Sequence, residues 1–339
     1  MEGEDAAIES ALFFKNGFPD THRLTRANLG DGGSAEYLTN AQNLHIACYF
    51  WPASPCFLRD QPDGRGVVVL CHGYGGYSDY QWLHEDDPHH PGSHPSYANS
   101  WIEHLNQAGF SCVAWDYQSH GRSEGIYGQR VRFAQIDDIV DEGVRVVARA
   151  RTKPRFHHGP VFVVGESLGG HVALLLAERL KSNGAVLMSP MISLEKLKAE
   201  PANWILLPFL RLLAYILPNL EVGHTRRNDY FPDVQHRWDK NPMCYKGKAK
   251  TSTSQALLTA CSRLVQRLDE ITLPLLVLSS GRDDYVDPDG AVALVERAAS
   301  TDKQIKQKDH MYHVLTLETD WETVRDEVLC WMQERSEGY

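Results

Sequence analysis

The segment Gly165–Gly169, with the sequence GESLG, is the feature that most restricts the fold of this chain. It follows the apolar run Val161–Val164, which has the composition of a buried strand, and it precedes a segment with helical spacing that begins near Gly170. A serine at such a sharp strand-to-helix turn is held in a strained backbone conformation, and its neighbours two residues away must be small so that strand and helix can approach. Gly165 and Gly169 meet this requirement. The segment therefore predicts a serine hydroxyl raised above the edge of a sheet, at the positive end of a helix.

Strand-like and helix-like runs alternate from about residue 44 onward. This layout is typical of the α/β class, in which a mostly parallel central sheet carries helices on both faces. The predicted strands are Leu44–Phe50, Gly66–Cys71, Phe110–Trp115, Val161–Gly165, Ala185–Ser189, Leu273–Ser280 and Lys303–Lys308. The predicted helices are Tyr97–Ala108, Ile136–Arg151, Gly170–Lys181, Gly290–Ala299 and Trp321–Arg335.

One long interval, from Pro190 to about Leu268, lacks any strand-like run and predicts an inserted helical cap. The predicted domains are a core of residues 1–190 and 269–339 and a cap, or lid, of residues 191–268. The apolar part of the cap, Trp204–Leu220, is interrupted by prolines and an arginine and falls short of the ~20 residues that span a bilayer. Two interpretations of it stay open: an ordinary core helix, or a surface that makes peripheral contact with a membrane.

A serine hydroxyl needs a base to take its proton and a carboxylate to orient that base. The last long strand runs into a loop with three aspartates, of which Asp284 is the predicted acid, Asp283 the next candidate and Asp287 a turn or helix-cap residue. For the base, His310 and His313 both follow the final predicted strand. His313 is preferred because it lies deeper in the loop. The predicted site is thus Ser167 with Asp284 and His313.

The oxyanion of the tetrahedral intermediate needs two N–H donors. The backbone N–H of Leu168, directly after the serine, is one predicted donor, and Tyr74 in the glycine-rich turn His72–Gly76 is the other. This turn does not match the G-x-G-x-x-G pattern of dinucleotide sites. Nucleotide binding is therefore not predicted.

Several motifs, in the same order along roughly Leu44–Arg335, resemble monoacylglycerol lipases and the lysophospholipase-like esterases grouped with them. They are His72-Gly73, the segment Trp115–Gly125, the GESLGG turn, Leu217–Leu220, Asn241–Met243 and Tyr312–Leu315. The resemblance implies an α/β-hydrolase fold, catalysis by Ser167, Asp284 and His313, oxyanion donors at Tyr74 and Leu168, and an apolar lid over an acyl-chain tunnel, with Leu207, Leu210 and Leu213 against the substrate. It implies a lipid ester with one fatty acyl chain as substrate. No cofactor is predicted.

Two departures from the family pattern bear on these implications. The acid loop is one residue shorter than usual, so an alignment from Gly281 selects Asp284 whereas an alignment from Val286–Pro288 selects Asp283. Glu166 replaces a histidine that is common in animal members, a form closer to plant-type members, which include caffeoylshikimate esterases. Alternative functions are therefore a lysophospholipase, a caffeoylshikimate-type carboxylesterase and, from another class, a non-catalytic ligand-binding protein.

Composition excludes several other classes. The chain has 34 Lys and Arg against 44 Asp and Glu, a net charge of −10, which disfavours nucleic acid as a partner. Seven scattered cysteines without CxxC spacing predict free thiols and no zinc site. The His-rich insertion 77–96 matches no common metal spacing and is predicted to be a solvated loop. The acidic N-terminus lacks the features of a signal peptide, which predicts a cytoplasmic protein.

Overall fold

A sheet of eight strands forms the centre of the computed structural model, which describes residues 26–30, 32–61, 63–85, 95–157, 159–223 and 226–337. The strands are β1 Ser34–Thr39, β2 His45–Trp51, β3 Gly66–Cys71, β4 Phe110–Trp115, β5 Val161–Glu166, β6 Gly184–Met188, β7 Leu275–Ser279 and β8 Lys303–Gln307. Their order across the sheet is β1-β2-β4-β3-β5-β6-β7-β8. Strand β2 pairs antiparallel with both β1 and β4, and every pair from β4 to β8 is parallel. The predicted α/β-hydrolase fold is confirmed.

Helices cover both faces of this sheet. In chain order they are α1 Arg26–Leu29, α2 Pro55–Asp60, α3 Ser78–Trp82, α4 Trp101–Gln107, α5 Ile136–Ala150, α6 Leu168–Leu180, α7 Glu195–Ala199, α8 Pro201–Ile216, α9 Pro232–Lys240, α10 Thr251–Gln266, α11 Pro288–Arg297 and α12 Trp321–Glu334. Two 3-10 turns lie at Ile126–Gly128 and Leu268–Glu270.

The two faces of the sheet carry separate hydrophobic cores, because successive side chains of a strand point to opposite sides. Val67 and Val69 of β3 lie in the core beneath α5, α6, α10 and α11. Val68 and Leu70 lie in the core beneath α4 and α12. Every residue of β3 and β4 is buried, as expected for strands covered on both faces.

The interval between β6 and β7 contains four helices, α7 to α10, and one short ladder that the sequence did not predict, Glu221–Val222 paired with Ala249–Lys250. Helix α8 packs against α10. Helix α10 in turn places Ala256, Cys261 and Leu264 in the core that it shares with α5, α6 and α11. No helix among the described residues is both long enough and apolar enough to cross a bilayer.

Candidate active site

The turn between β5 and α6 holds Ser167 in the strained backbone conformation that the sequence predicts, with φ 58° and ψ −121°. The flanking glycines are required by close backbone contact. A Cβ atom on Gly165 would lie 2.1 Å from the carbonyl oxygen of Gly169, and one on Gly169 would lie 2.2 Å from that of Cys71. Since α6 begins at the next residue, its N-terminus faces the serine.

A chain of hydrogen bonds connects Ser167 to a buried histidine and a buried aspartate. The Nε2 atom of His313 lies 3.0 Å from Oγ of Ser167, and its Nδ1 atom lies 2.7 Å from Oδ2 of Asp283. A carboxylate at Nδ1 assigns the ring proton to that nitrogen, so Nε2 is free to accept the proton of the serine hydroxyl. Asp283 is itself held in place, because its Oδ1 accepts the backbone N–H groups of Tyr285 and Val286 at 2.9 and 3.2 Å.

The prediction of Asp284 as the partner of the histidine is wrong. Its side chain is 53% exposed, accepts a hydrogen bond from the hydroxyl of Tyr312 and lies 3.0 Å from Nη1 of Arg226. The physical reason is the turn after β7, in which the Oδ1 bonds of Asp283 direct its carboxylate inward and leave that of the next residue outside. The alternative alignment, from Val286–Pro288, had selected the residue that the structure places beside His313.

The other candidates in these two loops have separate positions. Asp287 caps helix α11 by accepting the N–H of Asp289 at 3.2 Å, as predicted. His310 points to the surface, where its Nε2 lies 3.8 Å from Asp320, and both side chains are more than half exposed.

The environment of His313 favours its charged form. Burial alone would lower its pKa, but the charge and hydrogen bond of Asp283, helped by the charges of Glu166 and Glu318, raise the pKa above its ordinary value. The ring of Tyr285 stacks on the imidazole with 4.6 Å between centroids and 10° between planes. An imidazolium at this position is stabilised by the carboxylate, and the stacked ring of Tyr285 restricts its orientation.

Sequence reasoning missed Glu318, a fully buried carboxylate that organises the histidine loop. It accepts the backbone N–H groups of Tyr312, His313 and Val314 at 2.6, 3.0 and 2.8 Å. It also accepts the side-chain amide of Asn228, from the cap, at 2.9 Å. No local pattern marks this residue, which reads as an ordinary acidic residue ahead of helix α12.

The glycine-rich turn after β3 lies against the serine. A Cβ atom on Gly73 would lie 3.7 Å from Cβ of Ser167. Tyr74 is the next residue along this turn, and Leu168 directly follows the serine as the first residue of α6. The assignment of their N–H groups as oxyanion donors stays a prediction, and this arrangement is consistent with it.

The predicted lid residues lie on the inner side of helix α8. Leu210 is 2% exposed, and Leu207 and Leu213 are half-buried. Their contact with a substrate stays a prediction. The outer side of the helix is unusually apolar, with large side chains that are more than half exposed: Trp204, Phe209, Leu212, Tyr215 and Ile216.

Within the described ranges, no group of three or more His, Cys, Asp or Glu side chains is arranged to hold a metal ion. Of the His-rich insertion, His84 stacks on Trp321 with 6.3 Å between ring centroids. The other three, His89, His90 and His94, lie outside the described residues.

The chain is similar to known lipases and esterases. Rat monoglyceride lipase is 26% identical over 310 residues, which cover 88% of this chain and 90% of that protein. Caffeoylshikimate esterase of Arabidopsis thaliana is 25% identical over 294 residues, which cover 84% of this chain and 82% of that protein. The crystal structure of Paleococcus ferrophilus monoacylglycerol lipase matches with a TM-score of 0.66 at 23% identity, covering 86% of this chain and 99% of that one.

A family model places the chain within one group. The model of the Hydrolase_4 family, described as serine aminopeptidase S33, matches residues 89–320, which is more than half of the chain. The match spans the serine turn, the acid loop and the histidine loop. The protein therefore belongs to the Hydrolase_4 family of α/β-hydrolase-fold proteins.

Proposed function

We propose that the protein is a serine hydrolase of carboxylic esters, similar to monoacylglycerol lipases, with Ser167 as its nucleophile. The observation that carries this proposal is the hydrogen-bonded chain Ser167–His313–Asp283 at a strained turn of a Hydrolase_4 family member. The similarity to rat monoglyceride lipase over most of both chains supports a lipid ester with one acyl chain as the substrate.

The proposed reaction has two steps. Nε2 of His313 takes the hydroxyl proton as Oγ of Ser167 attacks the ester carbonyl, and the N–H groups of Leu168 and Tyr74 hold the oxyanion. The imidazolium, stabilised by Asp283, returns its proton to the leaving alcohol, which is glycerol for a monoacylglycerol. A water molecule, deprotonated by the same histidine, then releases the fatty acid from the acyl-enzyme.

Ser167→Ala tests this proposal. Hydrolysis of monoacylglycerol is expected to fall by about 10⁶-fold, since the hydroxyl is the atom that forms the acyl-enzyme. Turnover is measured by release of fatty acid, and covalent labelling by a fluorophosphonate probe should occur in the wild type and disappear in the variant. A wild-type protein that neither labels nor hydrolyses any ester would favour the non-catalytic binding protein instead.

A second candidate substrate is a caffeoyl ester, of the kind named for the Arabidopsis relative. Glu166 beside the serine is the residue that favours it, because this form resembles plant-type members. Comparison of kcat/KM for monoacylglycerols, lysophospholipids and caffeoyl esters, with one enzyme preparation, separates these classes. Monoacylglycerols are expected to give the highest value.

Peripheral contact with a lipid surface is the second part of this proposal. The outer face of α8 exposes Phe209 at 58% and Leu212 at 56%, and such an exposed apolar helix face can insert at the headgroup boundary of a lipid layer. A protein that takes its substrate from a lipid layer would contact that layer with this face.

The double change Phe209→Asp and Leu212→Asp is expected to reduce binding to phosphatidylcholine vesicles by at least about tenfold, because charge is expelled from the acyl region. Sedimentation with vesicles measures it. Tyr127→Asp is the matched control, since this side chain is 86% exposed but lies outside the cap. Equal binding by both variants and the wild type would exclude the membrane contact.

A further inference from the structure

Glu166, the residue before the nucleophile, carries a buried carboxyl group that the proposed reaction does not use. It is 3% exposed. Its Oε1 accepts the backbone N–H of Thr316 at 3.0 Å. Its Oε2 accepts the hydroxyl of Thr316 at 2.9 Å and the side-chain amide of Gln81 at 2.6 Å. Burial raises the pKa of this carboxyl to about 8, against the opposing effects of His313 and Thr316.

Gln81 continues this chain of hydrogen bonds to the glycine-rich turn. It lies in helix α3, is 4% exposed, and its Oε1 accepts the backbone N–H of Gly73 at 2.7 Å. The chain therefore runs from Gly73 through Gln81 and Glu166 to Thr316. Its two ends are one residue from Tyr74 and three residues from His313.

The two ends of this chain determine the direction of its bonds from N–H groups, whereas the hydroxyl of Thr316 can donate or accept. The N–H of Gly73 can only donate, so Gln81 must present its oxygen there and its NH₂ group to Glu166. The N–H of Thr316 can also only donate. Both oxygens of the side chain at position 166 must therefore accept a hydrogen bond from an N–H group, which a carboxyl group does and an amide does not.

We propose that Glu166 is a positioning residue, which acts through Gln81 to fix the oxyanion turn relative to the nucleophile and the histidine loop. This inference rests on the proposed ester hydrolysis. A displacement of the donor N–H by a fraction of an ångström weakens its bond to the oxyanion more than it weakens substrate binding. The effect of its loss should consequently appear in kcat and not in KM.

Exchange of the carboxyl group at position 166 with the amide group at position 81 tests the proposal. Glu166→Gln sets an NH₂ group against an N–H donor whichever way the amide turns, and kcat is expected to fall about 10- to 100-fold with KM within about threefold. The double variant Glu166→Gln with Gln81→Glu restores a donor–acceptor pair at every link, because the carboxylate now faces both Gly73 and the new amide. Its kcat is expected to return to within about threefold of the wild type.

Three measurements, with a water-soluble 4-nitrophenyl ester as the substrate, distinguish a loss of positioning from a loss of protein stability. They are kcat and KM, the inhibition constant of a trifluoromethyl ketone that forms a tetrahedral adduct with the serine, and the melting temperature. Affinity for the ketone should fall with kcat in the single variant and recover in the double variant. Glu322→Gln, an exposed change at the start of α12, is the matched control and should leave kcat, KM and the inhibition constant unchanged.

Unchanged kcat in Glu166→Gln, or a double variant that folds but is no more active than the single one, would overturn the proposal. Should Glu166→Gln prevent folding, Gln81→Leu takes its place, since it cuts the same chain and leaves the carboxyl intact; the same loss of kcat supports the proposal and full activity contradicts it. A wild-type enzyme without esterase activity or fluorophosphonate labelling would instead refute the proposed function, so the two failures differ.

Discussion

The geometry of the loop after β7 decides which of two adjacent aspartates contacts His313. Asp283 and Asp284 are adjacent in sequence and identical in type, but one is buried at 2.7 Å from the imidazole and the other is at the surface beside Arg226. Only the buried carboxylate can hold the ring of His313 in the tautomer that accepts the serine proton.

Asp283→Asn is expected to lower kcat by about 10⁴-fold, because the amide cannot hold this tautomer or stabilise the imidazolium. The pH dependence should change with a defined sign. Activity requires neutral His313, and Asp283 raises the pKa of this histidine, so kcat/KM in the wild type falls as pH drops through that raised value. Loss of the carboxylate lowers the pKa, and the acidic limb of the residual activity should move to lower pH.

The neighbouring change Asp284→Asn is the control for this prediction. It alters an exposed carboxylate outside the hydrogen-bonded chain, and kcat is expected to stay within about threefold of the wild type. A large loss in Asp284→Asn together with an active Asp283→Asn would restore the assignment that the sequence favoured.

At the scale of elements, the sequence predicted those parts of the fold whose signal is local. Strands β3 and β4 begin and end at the predicted residues, because they are continuous apolar runs buried on both faces. Strand β1 was missed, since this half-buried edge strand, SAEYLT, mixes polar and apolar residues and, among the described strands, pairs only with β2. The short helix α3 was missed for a related reason, as it lies within a polar, turn-rich insertion.

The contacts of the site that the sequence did not predict were missed for a different reason. Glu166 contacts Gln81 and Thr316, which lie 85 and 150 residues away, and Glu318 contacts Asn228, 90 residues away. Such pairs are set by packing of the finished fold, and no pattern within one segment specifies them. The serine and the histidine could be found because each stands at the end of a recognisable element.

The histidine loop offers a prediction at this scale. Glu318→Ala is expected to leave three backbone N–H groups unpaired, including that of His313, at about 1–3 kcal/mol of unfolding free energy for each group that water does not reach. Hydrogen exchange of the amides at 312–314 should become faster, and kcat should fall as the imidazole loses its fixed position. Urea denaturation and mass-resolved exchange measure the two effects.

Asn228→Ala provides the comparison, because it removes the amide that donates to Glu318 and leaves the three N–H bonds of Glu318 in place. It also removes the Oδ1 atom that accepts the backbone N–H of Phe231 at 2.9 Å. The loop amides should then keep their protection, with a loss of stability of about 1 kcal/mol. Equal exchange rates in both variants would mean that Glu318 does not organise this loop.

In the whole molecule, part of the predicted cap is packed into the hydrophobic core of the sheet. The sequence divides the chain into a core and an inserted cap of residues 191–268, and this division stays a proposal. Helix α10 belongs to the insertion by sequence, yet its Ala256, Cys261 and Leu264 are buried in the same cluster as Val172 of α6 and Leu294 of α11. Helix α8 packs against α10 and presents its apolar face outward, so the insertion has an inner layer bound to the core and an outer layer directed to solvent.

This arrangement predicts one cooperative unfolding transition rather than separate melting of a cap. Leu264 is 1% exposed, and Leu264→Ala is expected to lower the free energy of unfolding by about 2–5 kcal/mol through loss of packing and the cavity left behind. Because the leucine lies in the core shared by α10 and the sheet, calorimetry and far-ultraviolet circular dichroism should report the same lowered midpoint.

Arg263→Ala, an adjacent change at a side chain that is 70% exposed and 3.7 Å from Asp137, should shift the free energy of unfolding by no more than about 0.5–1 kcal/mol. Two resolved transitions, with only the first shifted by Leu264→Ala, would show instead that the insertion unfolds as an independent unit.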